Sequence, residues 1–278
     1  MPASYAHYRF GREVTGCLPF VYRKTIESHQ DLYNIGLHGP DILFYYRPIS
    51  SNEINQTGYA LHDKPASEFF GQAAALYMHA ADPDALKAYL FGFVCHFSLD
   101  SVCHPYIEKI EQESGLSHAE IETELERFFM EKDGLNPAEY IPVQHIHPDP
   151  GISQVIAPCF DPATPEQIRS CLKGMIFFHK LLHAPERTDQ KVDKRRLLYL
   201  GLKLIKKYDS MQGLIMKPEP VCDCTKYMNL LHNLYTEAVT VASSLIQNYA
   251  NVLDHASALS SRFSLTFGKG ENWESLFI

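Results

Sequence analysis

The chain lacks several features that would assign it to a special class of protein. No stretch approaches the ~18 to 20 apolar residues that a transmembrane helix needs, and the N-terminus has no basic segment followed by an apolar core of the kind that directs secretion. Seven cysteines are scattered along 278 residues, unlike the framework of a small disulfide-rich protein. These absences predict a cytoplasmic protein with an ordinary hydrophobic core.

Positive charge is also scarce. The formal net charge is -8 and the pI is about 5.9, which argues against a general attraction to nucleic acid backbones or anionic membranes. Basic residues cluster locally, as in KVDKRRLLYLGLKLIKK, but none occurs between Lys87 and Lys109. An acidic side chain inside that gap therefore has no basic neighbour in the sequence.

Strand-like alternation is nearly absent, whereas apolar spacing typical of helices recurs along the chain. No linker or compositional break divides it, so we expect a single all-α domain over 1–278, with 190–278 as a possible C-terminal helical appendage. Loops rich in Gly, Pro, Asn and Asp, such as SSNEINQTG, separate the helices, and 133–163 is a longer connection. The predicted helices cover about 19–35, 65–80, 83–107, 117–132, 164–185, 191–212 and 225–257.

One apolar segment contains polar groups that burial would penalise. From Ala85 to Val102, apolar residues occur on every side of the expected helix, which indicates that other helices enclose it. Because residues advance by ~100° in a helix, His96, Asp100 and His104 share one face. Taken singly, either histidine also fits a hydrogen-bonded core position. A buried carboxylate needs a cation or several donors, and without Lys or Arg nearby a metal ion is the natural partner.

The spacing of this trio limits how many ions it can bind. Its ends are ~12 Å apart along the helix axis, whereas zinc ligands lie at ~2.0 to 2.2 Å from the ion. His96 and His104 would share one ion only if the helix broke, and Pro105 is expected to loosen its last turn. The simpler prediction is two ions bridged by Asp100, an arrangement suited to in-line attack at a phosphoryl centre. Gly92 is expected to leave room beside His96.

Other segments must complete the sites. The segment SHAEIETE opens with a capping box, and His118 and Glu122 follow on one helix face with spacing that suits half of a zinc site. Singly, each of these candidates also fits an exposed polar position. Further candidates are Asp41 in a Gly-Pro turn, His62 just ahead of a helix, and His7 before YRFG.

Taken together, the segments AHYRFG, GPDILFY, ALHD, GFVCHFSLDSVCHPYI and SHAEIETE resemble the bacterial zinc-dependent phospholipase C family, in the family's order. That family shares its fold with the single-strand-specific three-zinc nucleases. The resemblance covers about residues 5–130 and implies an all-α fold with a metal cluster in its helical core.

The resemblance also implies a ligand set. One zinc would be held by Asp41, His62, His96 and Asp100, a second by His104, His118 and Glu122, and a third by Asp100, His7 and an N-terminal tryptophan. The chain departs from the family at the last position, since its one tryptophan is Trp273. We therefore expect two zinc ions, or three with a substitute ligand. Asp41 is expected to orient or deprotonate the attacking water.

The resulting hypothesis is a zinc-dependent phosphodiester hydrolase of phospholipase C type that uses metal-activated water. The acidic chain favours a phospholipid over a nucleic acid as substrate. Two alternatives stay open. The sequence LHD at 61–63 also fits a metal phosphohydrolase of the His-Asp type, in which Asp63 would replace Glu122 as a ligand. The second alternative is a protein in which zinc holds helices together without catalysis.

Overall fold

Helices form the regular structure of the chain in a computed structural model that describes residues 4–183, 194–204, 211–217, 219–221 and 223–278. The predicted all-α fold is confirmed, since these described residues contain no strand. The α-helices are α1 (Ser4–Cys17), α2 (Phe20–Ser28), α3 (Gln30–Gly36), α4 (Glu53–Asp63), α5 (Ala66–Tyr77), α6 (Pro83–Ser114), α7 (His118–Lys132), α8 (Pro150–Ile156), α9 (Pro165–Leu182), α10 (Lys194–Leu204) and α11 (Thr225–Leu253). Short 3₁₀ segments span Gly39–Tyr45, Ala157–Phe160, Gln212–Leu214, Ser261–Ser264 and Trp273–Ser275.

Several predicted boundaries were wrong. The helix expected over 19–35 is two helices, because the backbone leaves helical geometry at His29 (φ -134°, ψ 44°). The loop expected at SSNEINQTG contains the start of α4, where Asn52 and Asn55 form a reciprocal capping box with amide side chains. Helices α1 and α8 were not predicted. Of the helix expected over 191–212, α10 covers 194–204, while 191–193 and 205–210 lie outside the described residues.

Helix α6 runs through the centre of the fold and is longer than predicted. The Asp82 side chain accepts a hydrogen bond from the backbone N–H of Ala85 at its start, and Gly115 ends it in the left-handed conformation (φ 72°). Pro105 does not end it, so the expected loosening is not seen and the helix continues to Ser114. Packing against α3, α7 and α11 outweighs the local cost of the missing N–H.

Two glycines allow α3 and α6 to pack with their backbones in contact. A Cβ atom on Gly92 would lie 2.2 Å from the carbonyl oxygen of Tyr33, and one on Gly36 would lie 2.2 Å from that of Tyr89. The space beside Gly92 is therefore taken by α3 rather than kept for a ligand. This contact fixes the position of α3 and of the 3₁₀ segment Gly39–Tyr45 that follows it.

Aromatic side chains fill the space between α5, α6 and the C-terminal part of the chain. Phe70, Phe93 and Phe97 are fully buried, and Phe263 of the C-terminal segment lies against Phe70 and Phe97. Burying such a side chain contributes ~1.5 to 3 kcal/mol. Helix α11 packs along α6 in the same core, so the C-terminal residues share the core of the helix that carries His96, Asp100 and His104. None of the described helices has the length and apolarity needed to span a membrane.

Candidate metal centre

The middle of α6 carries deeply buried polar side chains. His96 is 0% exposed and Asp100 is 4% exposed. The Oδ2 atom of Asp100 lies 3.0 Å from Nε2 of His96 and 3.8 Å from Nδ1 of His104. Its other oxygen, Oδ1, lies 3.3 Å from Nε2 of His7 on α1. Asp100 is thus a buried carboxylate whose ion-pair partners are imidazoles.

The 3₁₀ segment and α4 bring a second carboxylate and imidazole to the same place. Asp41 lies within the 3₁₀ segment rather than in a simple turn, and its Oδ1 is 3.1 Å from Nε2 of His62. His62 lies in the last turn of α4 rather than ahead of a helix. Its Nδ1 donates to the carbonyl oxygen of Gly58 at 2.8 Å, which leaves Nε2 directed at Asp41.

Gly39 allows this segment to pass close to His96. Its backbone is left-handed (φ 48°), and a Cβ atom there would lie 2.2 Å from Cδ2 of the His96 ring. On its other side the His96 ring stacks on that of His7, with centroids 4.5 Å apart. Gly39, in the GP sequence before Asp41, therefore combines a backbone conformation that favours glycine with the space that the His96 ring needs.

A second group forms where α6 meets α7. Ser117 and Glu120 make the expected capping box at the start of α7, which fixes the first turn that carries His118. The Oε1 atom of Glu122 lies 3.2 Å from Nε2 of His118 and 3.4 Å from Nε2 of His104. The Nδ1 atom of His104 donates to the carbonyl oxygen of Phe267 at 2.6 Å, so its Nε2 faces the other two ligands.

All of the predicted ligands fall into groups whose geometry suits a metal ion. In each group the candidate donor atoms lie within 4.8 Å of one another. The groups are Asp41, His62 and His96; His7, His96 and Asp100; and His104, His118 and Glu122. Imidazole nitrogens and carboxylate oxygens are zinc donors. Their assignment as ligands stays a prediction.

The hydrogen bonding of His96 also fits a bound cation. Both of its ring nitrogens are buried without a hydrogen bond, although Nε2 is only 3.0 Å from a carboxylate oxygen of Asp100. A buried ring nitrogen without a hydrogen bond costs free energy in a purely structural role. A nitrogen lone pair and a carboxylate oxygen directed into the same space are what a metal ion requires.

The electrostatics of the second group favour a cation as well. Burial raises the pKa of Glu122, but nearby positive charge, including that of His118, and the hydrogen bonds from His104 and His118 lower it, and the net pKa lies well below the usual range. Burial lowers the pKa of His118, but the charge of Glu122 and the hydrogen bond to Glu108 raise it to about 10. The carboxylates therefore stay ionised and draw positive charge to this group.

The carboxylates of Asp100 and Asp41 also stay ionised despite their burial. Burial raises the pKa of Asp100, yet His104 and His96 outweigh burial and the net pKa is well below its ordinary value. Burial also raises the pKa of Asp41, but nearby positive charge and the hydrogen bond from His62 outweigh burial, so the net pKa is lowered. Both side chains thus remain anionic at neutral pH.

A cleft of about 200 Å³ opens over these groups. Its wall contains most of the predicted ligands together with residues that were not predicted. The unpredicted lining residues are Tyr59, Glu108, Gly268 and Lys269, and Phe44 lines the wall beside them. Space for a substrate therefore lies directly beside the candidate ligands.

Of two residues near the ligands that were not predicted, the sequence contains a signal for Glu108 but none for Phe267. Glu108 lies 3.7 Å from Nδ1 of His118 and is one helical turn beyond His104, so continuing the i, i+4 pattern along α6 would have found it. Phe267 offers a backbone carbonyl to His104 and packs its ring against His62 and His96. A carbonyl contact has no sequence signature, and Phe267 lies 163 residues from His104.

Other histidines and acids near the ligands lie outside these groups. Asp63, beside His62, is exposed and belongs to none of the candidate metal groups of the described residues. His38, close in sequence to Asp41, is paired with His145, with their Nε2 atoms 2.8 Å apart. His179 contacts Ser4 and Tyr45 through Nε2. The position of Asp63 disfavours the His-Asp alternative.

A family model described as zinc-dependent phospholipase C matches residues 6–155. The match covers more than half of the 278 residues, and the chain belongs to this family. It extends beyond the segment 5–130 whose motifs suggested it. No curated protein and no solved structure matches the chain. The chain is thus a zinc-dependent hydrolase of phospholipase C type, and the family implies zinc as its metal.

Proposed function

We propose that the chain hydrolyses the phosphodiester bond of a phospholipid head group at a centre of two or three zinc ions. The observation that carries the proposal is the arrangement of three donor groups, linked through His96 and Asp100, beneath a cleft. Water would add to phosphorus while the bond to the glycerol oxygen breaks, which yields diacylglycerol and the phosphorylated head group.

Each donor group would bind a different zinc ion. His104, His118 and Glu122 would hold one ion, and Asp41, His62 and His96 another, with Asp100 placed between them. His7 and Asp100 supply protein donors for a third ion. Zinc held there would lower the pKa of a bound water towards ~7 and neutralise charge on the phosphate.

Asp41 is the residue best placed to orient the attacking water. Its carboxylate is ionised, lines the cleft, and is held on one side by Nε2 of His62. A depressed pKa makes it a weak base, so its role is to accept a hydrogen bond and align the water oxygen rather than to store the proton. Asp100 lies deeper and holds the histidines.

The cleft wall suggests how a phospholipid head group would lie. The Lys269 ammonium is at the rim, 3.8 Å from Glu108 and stacked over the Trp273 ring with its nitrogen 5.0 Å from the centroid. Phe44 and Tyr59, whose ring centroids are 4.5 Å apart, form an aromatic wall. A cation and aromatic faces suit a phosphate with a less polar neighbour, and the chain's net charge of -8 disfavours a long polyanion.

The cleft also favours catalysis over a purely structural zinc site. Structural zinc is enclosed by four protein ligands, whereas catalytic zinc keeps a position for water or substrate. Here each candidate group offers three side chains, and the second borders the cleft through His104, His118 and Glu122.

Turnover of defined substrates tests the proposal. Zinc-loaded protein should release diacylglycerol from short-chain phosphatidylcholine and cleave a chromogenic phosphodiester. Asp100→Asn should lower kcat/KM by more than the ~100-fold that loss of an outer-shell partner costs. Asp84→Asn, an exposed acid on the same helix, is the matched control and should be active. Zinc-loaded wild-type protein without turnover on either compound would refute the proposed function.

A further inference from the structure

Helix α10 presents apolar side chains on two opposite sides. Leu198, Tyr199 and Leu202 face inward and form a small cluster with Ile215 and neighbouring side chains. A surface helix of a globular protein ordinarily has one such apolar stripe. In α10 a second group of leucines faces away from this cluster.

The outward leucines are strongly exposed and aligned. Leu197 and Leu200 are each 56% exposed and Leu204 is 76% exposed. At ~100° per residue these three positions fall within an arc of about 60°, and they extend ~10 Å along the axis. They form a continuous apolar stripe, which we call the outer stripe of α10 (Leu197, Leu200 and Leu204).

Basic residues flank one side of the outer stripe. The helix sequence KRRLLYLGLKL contains four basic residues and no acidic one, in a chain whose net charge is -8. Arg196 and Lys203 are exposed, and their i, i+7 spacing places them along the same side of the stripe. This charge complements an anionic lipid surface and would repel a second copy of the same stripe.

The adjacent helix adds to the exposed apolar surface. Phe177 is 58% exposed and Leu181 is 37% exposed, one turn apart on α9. The next residue, Leu182, packs against the inner cluster of α10. Two neighbouring helices thus expose large apolar side chains.

We propose that the outer stripe of α10 and its basic flank bind the surface of an anionic phospholipid membrane. Helices that lie in a membrane interface combine a buried apolar face with Lys and Arg at the headgroup level. With 11 residues α10 is too short to cross the bilayer, so it lies along the surface. The inference rests on the proposed function, because docking would hold the hydrolase next to its lipid substrate.

Vesicle binding of the full chain tests this proposal independently of turnover. Wild-type protein should cosediment with phosphatidylcholine vesicles that contain 30% phosphatidylserine, and binding should weaken in high salt. The triple variant Leu197→Ser, Leu200→Ser and Leu204→Ser should bind about 30-fold more weakly, since it removes most of the inserted apolar area. A matched control replaces other exposed apolar residues, Phe20, Val21 and Met78, with serine and should bind like wild type.

Two further measurements separate the possible results. The triple variant should keep wild-type turnover of dissolved short-chain phosphatidylcholine and lose turnover on vesicles, whereas failure of the proposed function would abolish turnover but leave vesicle binding intact. Arg196→Gln with Lys203→Gln should weaken binding to anionic vesicles without changing the fold. The proposal is overturned if wild-type protein does not bind the vesicles, if the triple variant binds equally well, or if the stripe instead mediates a dimer that the variant dissolves.

Discussion

The region matched by the family model, 6–155, and the C-terminal region, 223–278, contribute to the candidate centre in different ways. The first carries every proposed ligand on α1, the 3₁₀ segment, α4, α6 and α7. The second carries none, yet the Phe267 carbonyl orients His104, and the backbone N–H of Gly268 donates to the carbonyl oxygen of His62. The proposed ligands thus lie in one region, whereas contacts that orient two of them come from the other.

The C-terminal residues reach the candidate centre directly. Helix α11 packs along α6, and the segment after it closes one side of the cleft through Gly268 and Lys269. Outer partners of ligand histidines fix the tautomer and the ring orientation. Residues 6–155 alone would therefore supply the proposed ligands but lack the contacts that orient His104 and His62.

The largest effect is expected from a ligand in the first region. Glu122→Gln should remove about one equivalent of zinc and lower kcat/KM by more than ~100-fold, because its carboxylate lies within 3.4 Å of both His104 and His118 and would supply the negative charge of this group. Metal analysis and steady-state kinetics would measure both. Asp63→Asn, which alters the ligand expected of a His-Asp phosphohydrolase, should retain zinc. Zinc loss in Asp63→Asn but not in Glu122→Gln would reverse this assignment.

A substitution in the second region tests whether it positions the ligands. Phe267→Ala should weaken zinc affinity ~10- to 100-fold, since the ring packs against His62 and His96 beside the carbonyl that orients His104. It should also cost ~3 to 5 kcal/mol of stability. Competition with a chelator measures the affinity.

The matched control for Phe267 is Phe263→Ala in the same segment. Phe263 is equally buried but packs on Phe70, Phe97 and Tyr249 rather than on the ligand histidines. It should lose similar stability and keep its zinc affinity. Equal loss of zinc affinity in the two variants would show that the C-terminal segment contributes general stability only.

A smaller effect is expected from Glu126, which is buried in the first region without belonging to a metal group. Burial and the charge of Glu122 raise its pKa to about 8, against the opposing hydrogen bond from the backbone N–H of Tyr5. The folded protein therefore keeps a proton that the unfolded chain loses above about pH 4.5, and stability falls as pH rises from there to about 8. Glu126→Gln should remove this slope, worth up to ~5 kcal/mol.

Denaturant unfolding at several pH values measures the effect of Glu126. Glu131→Gln, an exposed position on the same helix, should leave the slope unchanged. If Glu126→Gln and wild type show parallel pH dependence, burial does not hold the proton on this acid. The pKa of Glu126 would then not be raised, in contrast to the lowered pKa of Glu122, as their surroundings indicate.

The sequence predicted the parts of the site that depend on helical periodicity. His96, Asp100 and His104 share a face because four residues make slightly more than one turn, and the absence of lysine and arginine around them marked Asp100 as unusual. The positions of Asp41 and His62 relative to His96 come from tertiary packing, and only the family resemblance connected them. The same limit explains Phe267, whose contribution is a backbone atom.

The fold errors have related causes. Helix α4 was expected as a loop because Asn and Ser are common in turns, yet those same side chains cap helices. Pro105 was expected to disturb α6, but the surrounding helices maintain it. In each case the residue is compatible with two local structures. The prediction chose one of them, and tertiary packing stabilises the other.

The central claim is that the buried carboxylate of Asp100 and its imidazoles are arranged around zinc. Elemental analysis of the full-length protein, purified without chelator, tests this most directly. The account predicts at least two tightly bound zinc equivalents per chain, which fall in Asp100→Asn. Less than one zinc equivalent in wild-type protein that is folded and unfolds cooperatively would contradict it.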